Sequence, residues 1–292
     1  MSKVGIVILN YNDYETTDKY LNNIKNYKVL DKIIVVDNKS TDSSYEKLQK
    51  YNNNRIKVIE TKENKGYAYG NNVGIKALDD DIDYVIISNP DITVSEKTIS
   101  RLKKDLDTNK DISVIAPVIK ELDYIKRGWR LPKYKDELLS NITYFHRKAE
   151  ANLRYDDSKY KGNITKVDVV SGCFFMIRKS VLNLIGNFDE GTFLYYEENI
   201  MGHKLDLIGK KTFIDNEVYV THNLSVSVDK SFNSINKYKI LKNSQKYYVK
   251  YFLKSNIFAI ILLRLVYYIS LGLAYVVCFF RNIRSKKKWR IL

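Results

Sequence analysis

The chain has 292 residues, 45% of them hydrophobic, and a formal net charge of +15. This length and composition predict one large α/β core with an appendage. The two cysteines, Cys173 in a predicted strand and Cys278 in an apolar helix, argue against a disulfide framework and indicate a reducing compartment.

Hydrophobic runs alternate with helical stretches over the first 120 residues. This is the βαβ pattern of parallel strands joined by helices, a kind of sheet that commonly binds nucleotides. The runs predict buried strands at residues 4–9, 33–36, 56–59, 84–87 and 112–116, with helices at 14–27, 43–51 and 95–106.

Polar side chains follow three of these strands. Asn10 follows the first, Asp37 the second, and Asp91 the fourth, where Pro90 prevents the strand from continuing. At such an edge, Asp91 suits a divalent cation or ligand hydroxyls, and Asp37 suits a base or ribose. The alternatives are structural: Asp91 caps a helix that starts near Val94, and Asp37 caps the turn at residues 38–40.

Residues 64–72 place two glycines, Gly66 and Gly70, at the start of a predicted helix. Glycine lets a ligand approach the backbone closely, and the free N–H groups of a first helical turn attract phosphate. The alternative is a turn with tight packing, because the segment has neither GxGxxG nor GxxxxGK[ST].

Together these segments resemble the family 2 glycosyltransferases, inverting enzymes with a GT-A fold that use nucleotide-diphosphate sugars. The resemblance covers roughly residues 3–225 and is strongest to rhamnosyltransferase-like members that build bacterial surface polysaccharides. It implies a mixed, Rossmann-like sheet flanked by helices. The matching segments are residues 7–12, 35–42, 64–72, 88–91, 171–178, 186–190 and 193–198.

The resemblance implies a donor site at the strand-end edge, with Asp37 as the partner of the nucleotide base. Asp91 matches the last acid of the family's DXD metal motif, whose first acid is Asn89 here. His222 is the second candidate ligand for Mg²⁺ or Mn²⁺, and its alternative is a structural histidine. The donor pocket would be lined by Asn10, Asp37, Asn64, Gly66, Asn71 and Asp91.

The family's general base is the Asp of a Glu-Asp pair, and Glu198 matches that position, with Glu197 before it. Such a base removes the proton of the attacking sugar hydroxyl. Glu keeps the carboxylate but adds a methylene, which changes its reach. The family's next acid is Ile200 here, and the pair could equally complement the dipole of the helix at 199–207.

Residues 118–166 are predicted to form an acceptor-binding insert. Trp129 between Arg127 and Arg130 suits a sugar face or a lipid-linked pyrophosphate, and Glu197 is a further acceptor-side candidate. The alternative is a packed Trp with solvated neighbours.

The excess charge lies in the tail. No acid follows Asp229, whereas Lys and Arg number 14 from Lys230 to Arg290, so the first 229 residues carry only +1. The tail also contains the apolar run 257–280, interrupted by Arg264. Basic flanks around an apolar, aromatic-rich helix indicate an anionic membrane and no nucleic acid.

The run 257–280 is long enough to span a bilayer, but both of its flanks are basic. We therefore expect a helix in the membrane plane or re-entrant, paired with the amphipathic stretch 235–253. The alternative is a helix in a homodimer interface.

These observations predict a catalytic domain at 1–229, with a donor half at about 1–117 and an acceptor half at about 118–229, and a basic helical tail at 230–292. With no signal peptide in the amino-terminal run, we expect the cytoplasmic face of a bacterial membrane. The predicted function is inverting sugar transfer to a lipid-linked or glycan acceptor. The alternative is a catalytically silent sugar-nucleotide-binding scaffold.

Overall fold

A computed structural model describes residues 1–122, 124–142, 145–223 and 234–288. The chain forms two compact units, one of Met1–Leu131 with Arg154–Ser231 and one of Pro132–Leu153 with Phe232–Leu292. The second unit thus takes residues from the middle of the predicted acceptor half as well as from the predicted tail. The boundary predicted at 229–230 lies outside the described residues, as does Tyr144 in the predicted insert.

The first unit contains all the described strands. Most predicted strands and helices are confirmed, and the strand predicted at 112–116 extends to Lys120. The strands are β1 (Val4–Asn10), β2 (Lys32–Asp37), β3 (Ile56–Glu60), β4 (Tyr84–Ser88), β5 (Ile92–Thr93), β6 (Ile112–Lys120), β7 (Ile125–Lys126), β8 (Ile164–Val167), β9 (Phe174–Arg178) and β10 (Lys211–His222). The helices of this unit are α1 (Tyr14–Ile24), α2 (Ser44–Leu48), α3 (Tyr67–Lys76), α4 (Glu96–Thr108), α7 (Lys179–Leu184) and α8 (Glu197–Leu207).

Within the described residues, the strands form one sheet in the order β3-β2-β1-β4-β9-β6-β10-β5, with β7 paired to β6 and β8 to β10. The pairs among β1 to β4 are parallel, whereas β9 runs antiparallel to both β4 and β6. The predicted mixed sheet is therefore confirmed. Parallel strands β1, β2 and β4 end at one edge, which places their following polar residues together.

Both faces of the sheet are buried, which explains the uninterrupted hydrophobic runs. Along β1, Ile6 and Ile8 join the core on one face and Val7 joins the core on the other. Helices α1 and α4 cover the first face, and α3, α7 and α8 contribute to the second.

Helix α4 begins with its own cap. The Ser95 hydroxyl accepts a hydrogen bond from the Thr98 N–H at 3.1 Å, which satisfies a free donor of the first turn. Asp91 is therefore not the cap of this helix, and the structural alternative for its carboxylate does not apply.

The second unit consists of α5 (Tyr134–Ser140), α6 (His146–Leu153), α9 (Ser234–Tyr251) and α10 (Ile257–Lys288). Buried polar side chains join α9 to α5, since Gln245 Nε2 donates to Glu137 Oε2 at 2.7 Å. None of the helices within the described ranges is both long and apolar enough to cross a membrane. The Cys278 side chain lies outside the described part, whereas Cys173 is a buried free thiol.

Candidate active site

Asn10 and Asp37 lie opposite each other where β1 and β2 end. The Asp37 side chain is 0% exposed, and it accepts hydrogen bonds from Asn10 Nδ2 at 2.7 Å and from the N–H and hydroxyl of Ser40 at 2.8 and 2.7 Å. Burial raises the pKa of Asp37, although these hydrogen bonds oppose the rise. Its carboxylate thus holds the turn at residues 38–40, as the structural alternative expected.

The loop before α3 is fixed to the same edge by Asn38. Its Nδ2 donates to Asn64 Oδ1 at 3.0 Å and to the Gly66 carbonyl at 3.1 Å. Gly66 has φ +100°, a conformation that side chains rarely adopt. A Cβ there would lie 2.0 Å from the Phe193 carbonyl oxygen, so the absence of a side chain brings residue 193 against this loop.

Gly66→Ala should destabilise the protein by about 2 to 3 kcal/mol, because the added Cβ meets backbone in a strained conformation. Gly209→Ala is the matched control: Gly209 also has positive φ, at +66°, but nothing lies within 4 Å of its added Cβ. That substitution should cost about 1 kcal/mol. Urea unfolding measures both, and equal costs would show that the Phe193 contact does not constrain the loop.

Two asparagines of α3 are buried. Asn71 Nδ2 donates to the Tyr67 carbonyl at 2.9 Å, within its own helix. Asn72 reaches the segment 186–190: its Nδ2 donates to the Phe188 carbonyl at 3.0 Å and to Glu190 Oε1 at 2.7 Å. The glycine and asparagine cluster therefore joins the two halves of the first unit.

Asp91 lies between β4 and β5 and is 6% exposed. His222 Nε2 lies 3.3 Å from Asp91 Oδ2, and His222 Nδ1 lies 3.2 Å from Glu121 Oε1. Burial alone would lower the pKa of His222, but its contacts with Asp91 and Glu121 raise it above the usual value. The structure thus brings the two predicted metal ligands together and adds Glu121.

The chemistry of this pair fits a divalent cation. Asp91 Oδ1 is buried and has no hydrogen-bond partner among the described residues, and an unpaired buried carboxylate oxygen is costly unless a ligand satisfies it. Within the described ranges, no group of three or more His, Cys, Asp or Glu is arranged to hold a metal. A cation here would need ligands from a bound substrate or water.

The two glutamates open α8. Glu198 Oε1 accepts a hydrogen bond from the Gly172 N–H at 3.1 Å, and the Tyr67 hydroxyl donates to the Gly172 carbonyl at 2.8 Å. Glu197 is 5% exposed, while Glu198 is half-buried. Burial raises the pKa of Glu197 to about 8, and the charge of Glu198 adds to the rise.

The chain enters α8 through two left-handed residues. Tyr195 has φ +73° and Tyr196 has φ +72°, and each such residue costs of order 1 kcal/mol or more for a side chain of this size. This strained entry sets the direction in which the two glutamates leave the backbone. Nothing in the sequence pattern signals it.

Cys173 links the Asp91 side of the site to the Glu198 side. Its carbonyl accepts from the Asn89 N–H at 2.9 Å, in the loop that leads to Asp91. Burial raises the pKa of the Cys173 thiol to about 12, and the charges of both Asp91 and Glu198 act in the same direction. Since the preceding residue, Gly172, donates its N–H to Glu198 Oε1, the entry to this strand contacts both Glu198 and the loop that leads to Asp91.

The predicted acceptor residues point in different directions. Trp129 Nε1 donates to Asn199 Oδ1 at 2.9 Å, which places the indole beside the start of α8. The Arg130 guanidinium instead lies over the Tyr155 ring, 4.5 Å from its centroid. Of this pair, only Trp129 adjoins the two glutamates.

Comparison with known proteins identifies the family. Residues 5–186 match the model described as glycosyl transferase family 2, which is more than half of the chain. The chain belongs to this family. The resemblance noted in the sequence is thereby confirmed, and glycosyltransferase is the activity of the class.

Two curated relatives match 61 to 68% of the chain. The low-salt glycan biosynthesis hexosyltransferase Agl10 of Haloferax volcanii is 28% identical over 200 residues, 68% of this chain and 60% of that protein. The N-acetylglucosaminyl-diphospho-decaprenol L-rhamnosyltransferase of Mycobacterium tuberculosis is 23% identical over 190 residues, 61% of each chain. The chain thus spans about 60% of the length of these relatives.

Solved structures show the same fold. The Pyrobaculum calidifontis mannosyltransferase PcManGT, in complex with GDP-Man and Mn²⁺, has a TM-score of 0.59 at 14% identity, over 98% of this chain and 82% of that one. GalNAc-T7, with UDP, GalNAc and Mn²⁺, has a TM-score of 0.63 at 16% identity, over 85% of this chain and 48% of that one. The predicted GT-A fold is therefore confirmed.

Proposed function

We propose that this family 2 member is an inverting glycosyltransferase that moves a sugar from a nucleotide-diphosphate donor to a hydroxyl of a lipid-linked or glycan acceptor. The observation that carries the proposal is that consecutive residues contact the two predicted functional segments. The Gly172 N–H donates to Glu198 Oε1 at 3.1 Å, and the Cys173 carbonyl accepts from the Asn89 N–H at 2.9 Å, two residues before Asp91. A carboxylate with an unpaired buried oxygen then faces the donor, and a half-buried carboxylate faces the acceptor.

In this proposal Glu198 is the general base. It takes the proton of the acceptor hydroxyl while that oxygen attacks the anomeric carbon, and the bond from that carbon to the diphosphate breaks in the same step. The hydrogen bond from the Gly172 N–H orients the Glu198 carboxylate toward the acceptor. Glu197 is only 5% exposed, and in this proposal it is too deeply buried to reach an acceptor hydroxyl.

Asp91 and His222 are the residues that would hold Mg²⁺ or Mn²⁺. When bound, the cation supplies positive charge that stabilises the departing diphosphate. Two protein ligands leave most positions to donor phosphates and water, which suits Mg²⁺ in particular. Mn²⁺ in the PcManGT and GalNAc-T7 complexes supports a divalent cation without fixing which one is used.

The donor pocket extends along the strand-end edge. Asn10 and Asp37 hold its floor, and the loop at Asn64 and Gly66 forms its wall beside residue 193. Asn71 lies in the helix behind that wall. Trp129, held beside α8, is placed to stack on an acceptor sugar.

A donor panel tests the proposal. Thermal shifts with UDP-, dTDP- and GDP-sugars, each with Mg²⁺ or Mn²⁺, should show one nucleotide class raising the unfolding temperature. Nucleoside diphosphate release with that donor should then rise when the acceptor is added. Donor binding without turnover over a panel of acceptors would favour the catalytically silent scaffold. The reduced metal motif is the reason to consider that alternative.

We further propose that the second unit docks on an anionic membrane surface at the cytoplasmic face of a bacterial membrane, where nucleotide sugars are available. The outer face of α10 is apolar and exposed, with Phe258 at 78% and Ile269 at 65%. The exposed side chains recur at helical spacing, and they include Phe258, Ile261, Leu265, Ile269, Leu273 and Val276.

The opposite face of α10 packs within its own unit. The Tyr267 ring stacks on the Tyr238 ring of α9, with 6.5 Å between the ring centroids, and Leu263 is buried. A helix with one face packed on protein and the other apolar and exposed suits the membrane plane. Since no acid occurs from residue 230 to 292, the surrounding Lys and Arg favour anionic lipid.

The double substitution Leu265→Asp with Ile269→Asp should weaken vesicle binding by about 100-fold, because each change removes a large apolar side chain from the interface and adds negative charge. Flotation with phosphatidylcholine–phosphatidylglycerol vesicles measures it. The matched control is Leu184→Asp with Leu207→Asp, two exposed leucines of the first unit. Equal binding by wild type and the α10 variant would contradict the proposed surface.

A further inference from the structure

Glu121 is an acid that neither the sequence motifs nor the proposed chemistry accounts for. It follows β6 directly, and its side chain is 6% exposed. Its Oε1 lies 3.2 Å from His222 Nδ1. The turn that carries it is closed by the Glu121 N–H donating to the Tyr124 carbonyl at 3.0 Å.

Three neighbouring strands fix the backbones of Asp91, Glu121 and His222. Strand β10 lies between β6 and β5, with Thr221 opposite Lys120 and His222 opposite Ile92. The Asn223 N–H donates to the Asp91 carbonyl at 2.9 Å. The remaining freedom of His222 is the rotation of its ring and the choice of which ring nitrogen carries the proton.

Glu121 restricts both. A carboxylate facing Nδ1 accepts a hydrogen bond from it, so a proton is held on Nδ1 and Nε2 is turned toward Asp91. The lone pair of Nε2 would become a ligand when a cation displaces any proton that this nitrogen shares with Asp91. A carboxylate in this position is the usual partner of a histidine that binds a metal through its other nitrogen.

We propose that Glu121 is a positioning residue that holds His222 with Nε2 toward Asp91, so that the two side chains present one site for a divalent cation. This inference rests on the proposed metal site at Asp91 and His222. It assigns no direct contact between Glu121 and the cation or the substrate.

The test measures Mn²⁺ binding rather than turnover. Free Mn²⁺ is followed by electron paramagnetic resonance at one fixed pH, in the presence of the nucleoside diphosphate that gives the largest thermal shift. Glu121→Gln and Glu121→Ala should each weaken Mn²⁺ binding by about 10- to 100-fold, the range typical of lost outer-sphere partners. Glu63→Gln, a change at an exposed acid, should leave binding unaltered.

A second readout reports the ring itself. The chain has three histidines, so ¹⁵N–¹H spectra of labelled protein can be assigned with a His222→Ala variant. Wild type without metal should show a proton bound at Nδ1 of His222, and Glu121→Ala should lose that signature while the dispersion of the other signals is retained. A role of Glu121 in folding alone would not shift this signature in the folded variant.

The Mn²⁺-binding results distinguish the positioning role of Glu121 from the metal site at Asp91 and His222. If Asp91→Asn and His222→Ala abolish Mn²⁺ binding while both Glu121 variants bind within twofold of wild type, the positioning role is wrong and the metal site stands. If Asp91→Asn and His222→Ala bind Mn²⁺ like wild type, the metal site and the role of Glu121 both fail.

Discussion

Replacing Glu198 by Gln is expected to lower the rate of sugar transfer by about 10²- to 10⁴-fold, the usual contribution of a general base. Gln has nearly the shape of Glu and keeps an oxygen that accepts the hydrogen bond from the Gly172 N–H, so the start of α8 should be preserved. Its neutral amide cannot take a proton from the acceptor hydroxyl. Donor affinity should change little, since the proposed role of Glu198 is toward the acceptor.

Glu197→Gln is the comparison that tells the two carboxylates apart. Glu197 is buried with its pKa raised to about 8, so a neutral amide there resembles its protonated form. We expect less than a tenfold loss of turnover. Initial rates at saturating donor measure both variants, and a larger loss in Glu197→Gln than in Glu198→Gln would assign the base to the other residue.

Replacing Asp91 by Asn should remove most metal-dependent activity, with a fall in kcat/KM of about 100-fold or more, corresponding to about 2.7 kcal/mol of transition-state stabilisation. Asn is similar in shape, but it lacks the charge that a hard divalent cation requires. Asn keeps one side-chain oxygen, but as a neutral amide in place of the carboxylate whose Oδ1 has no hydrogen-bond partner among the described residues.

The measurement for Asp91→Asn is the dependence of the initial rate on Mn²⁺ concentration. The half-saturating concentration should rise by at least about tenfold relative to wild type. Asp80→Asn, at a fully exposed carboxylate, is the matched control and should behave as wild type. An unchanged Mn²⁺ dependence in Asp91→Asn would remove this residue from the metal site.

The strand-end residues could be predicted because local rules determine them. Fully buried parallel strands read as uninterrupted apolar runs, and Pro90 fixed the end of the strand that precedes Asp91. The order of the runs along the chain then placed Asn10 and Asp37 at one edge. The structure adds that the Asp37 carboxylate accepts hydrogen bonds from Asn10 and Ser40.

Other features depend on contacts between distant segments. Gly66 is a glycine because Phe193 approaches it, a contact over more than 120 residues that no local pattern records. Glu121 did follow a hydrophobic run, but the strand was predicted to end at residue 116 and the acid was therefore not at a predicted strand end. Residues 132–153 likewise join the tail through contacts between segments far apart in the sequence, which no local pattern predicts.

We propose that this chain transfers a sugar with inversion at the anomeric carbon, with Glu198 as the base. The most direct test is to react the purified protein with its donor, a divalent cation and an acceptor, and to determine the anomeric configuration of the product by NMR. We expect wild type to form a glycosidic bond of opposite configuration to the donor, and Glu198→Gln to form almost none. A product that retains the donor configuration, or equal product from Glu198→Gln, would contradict it.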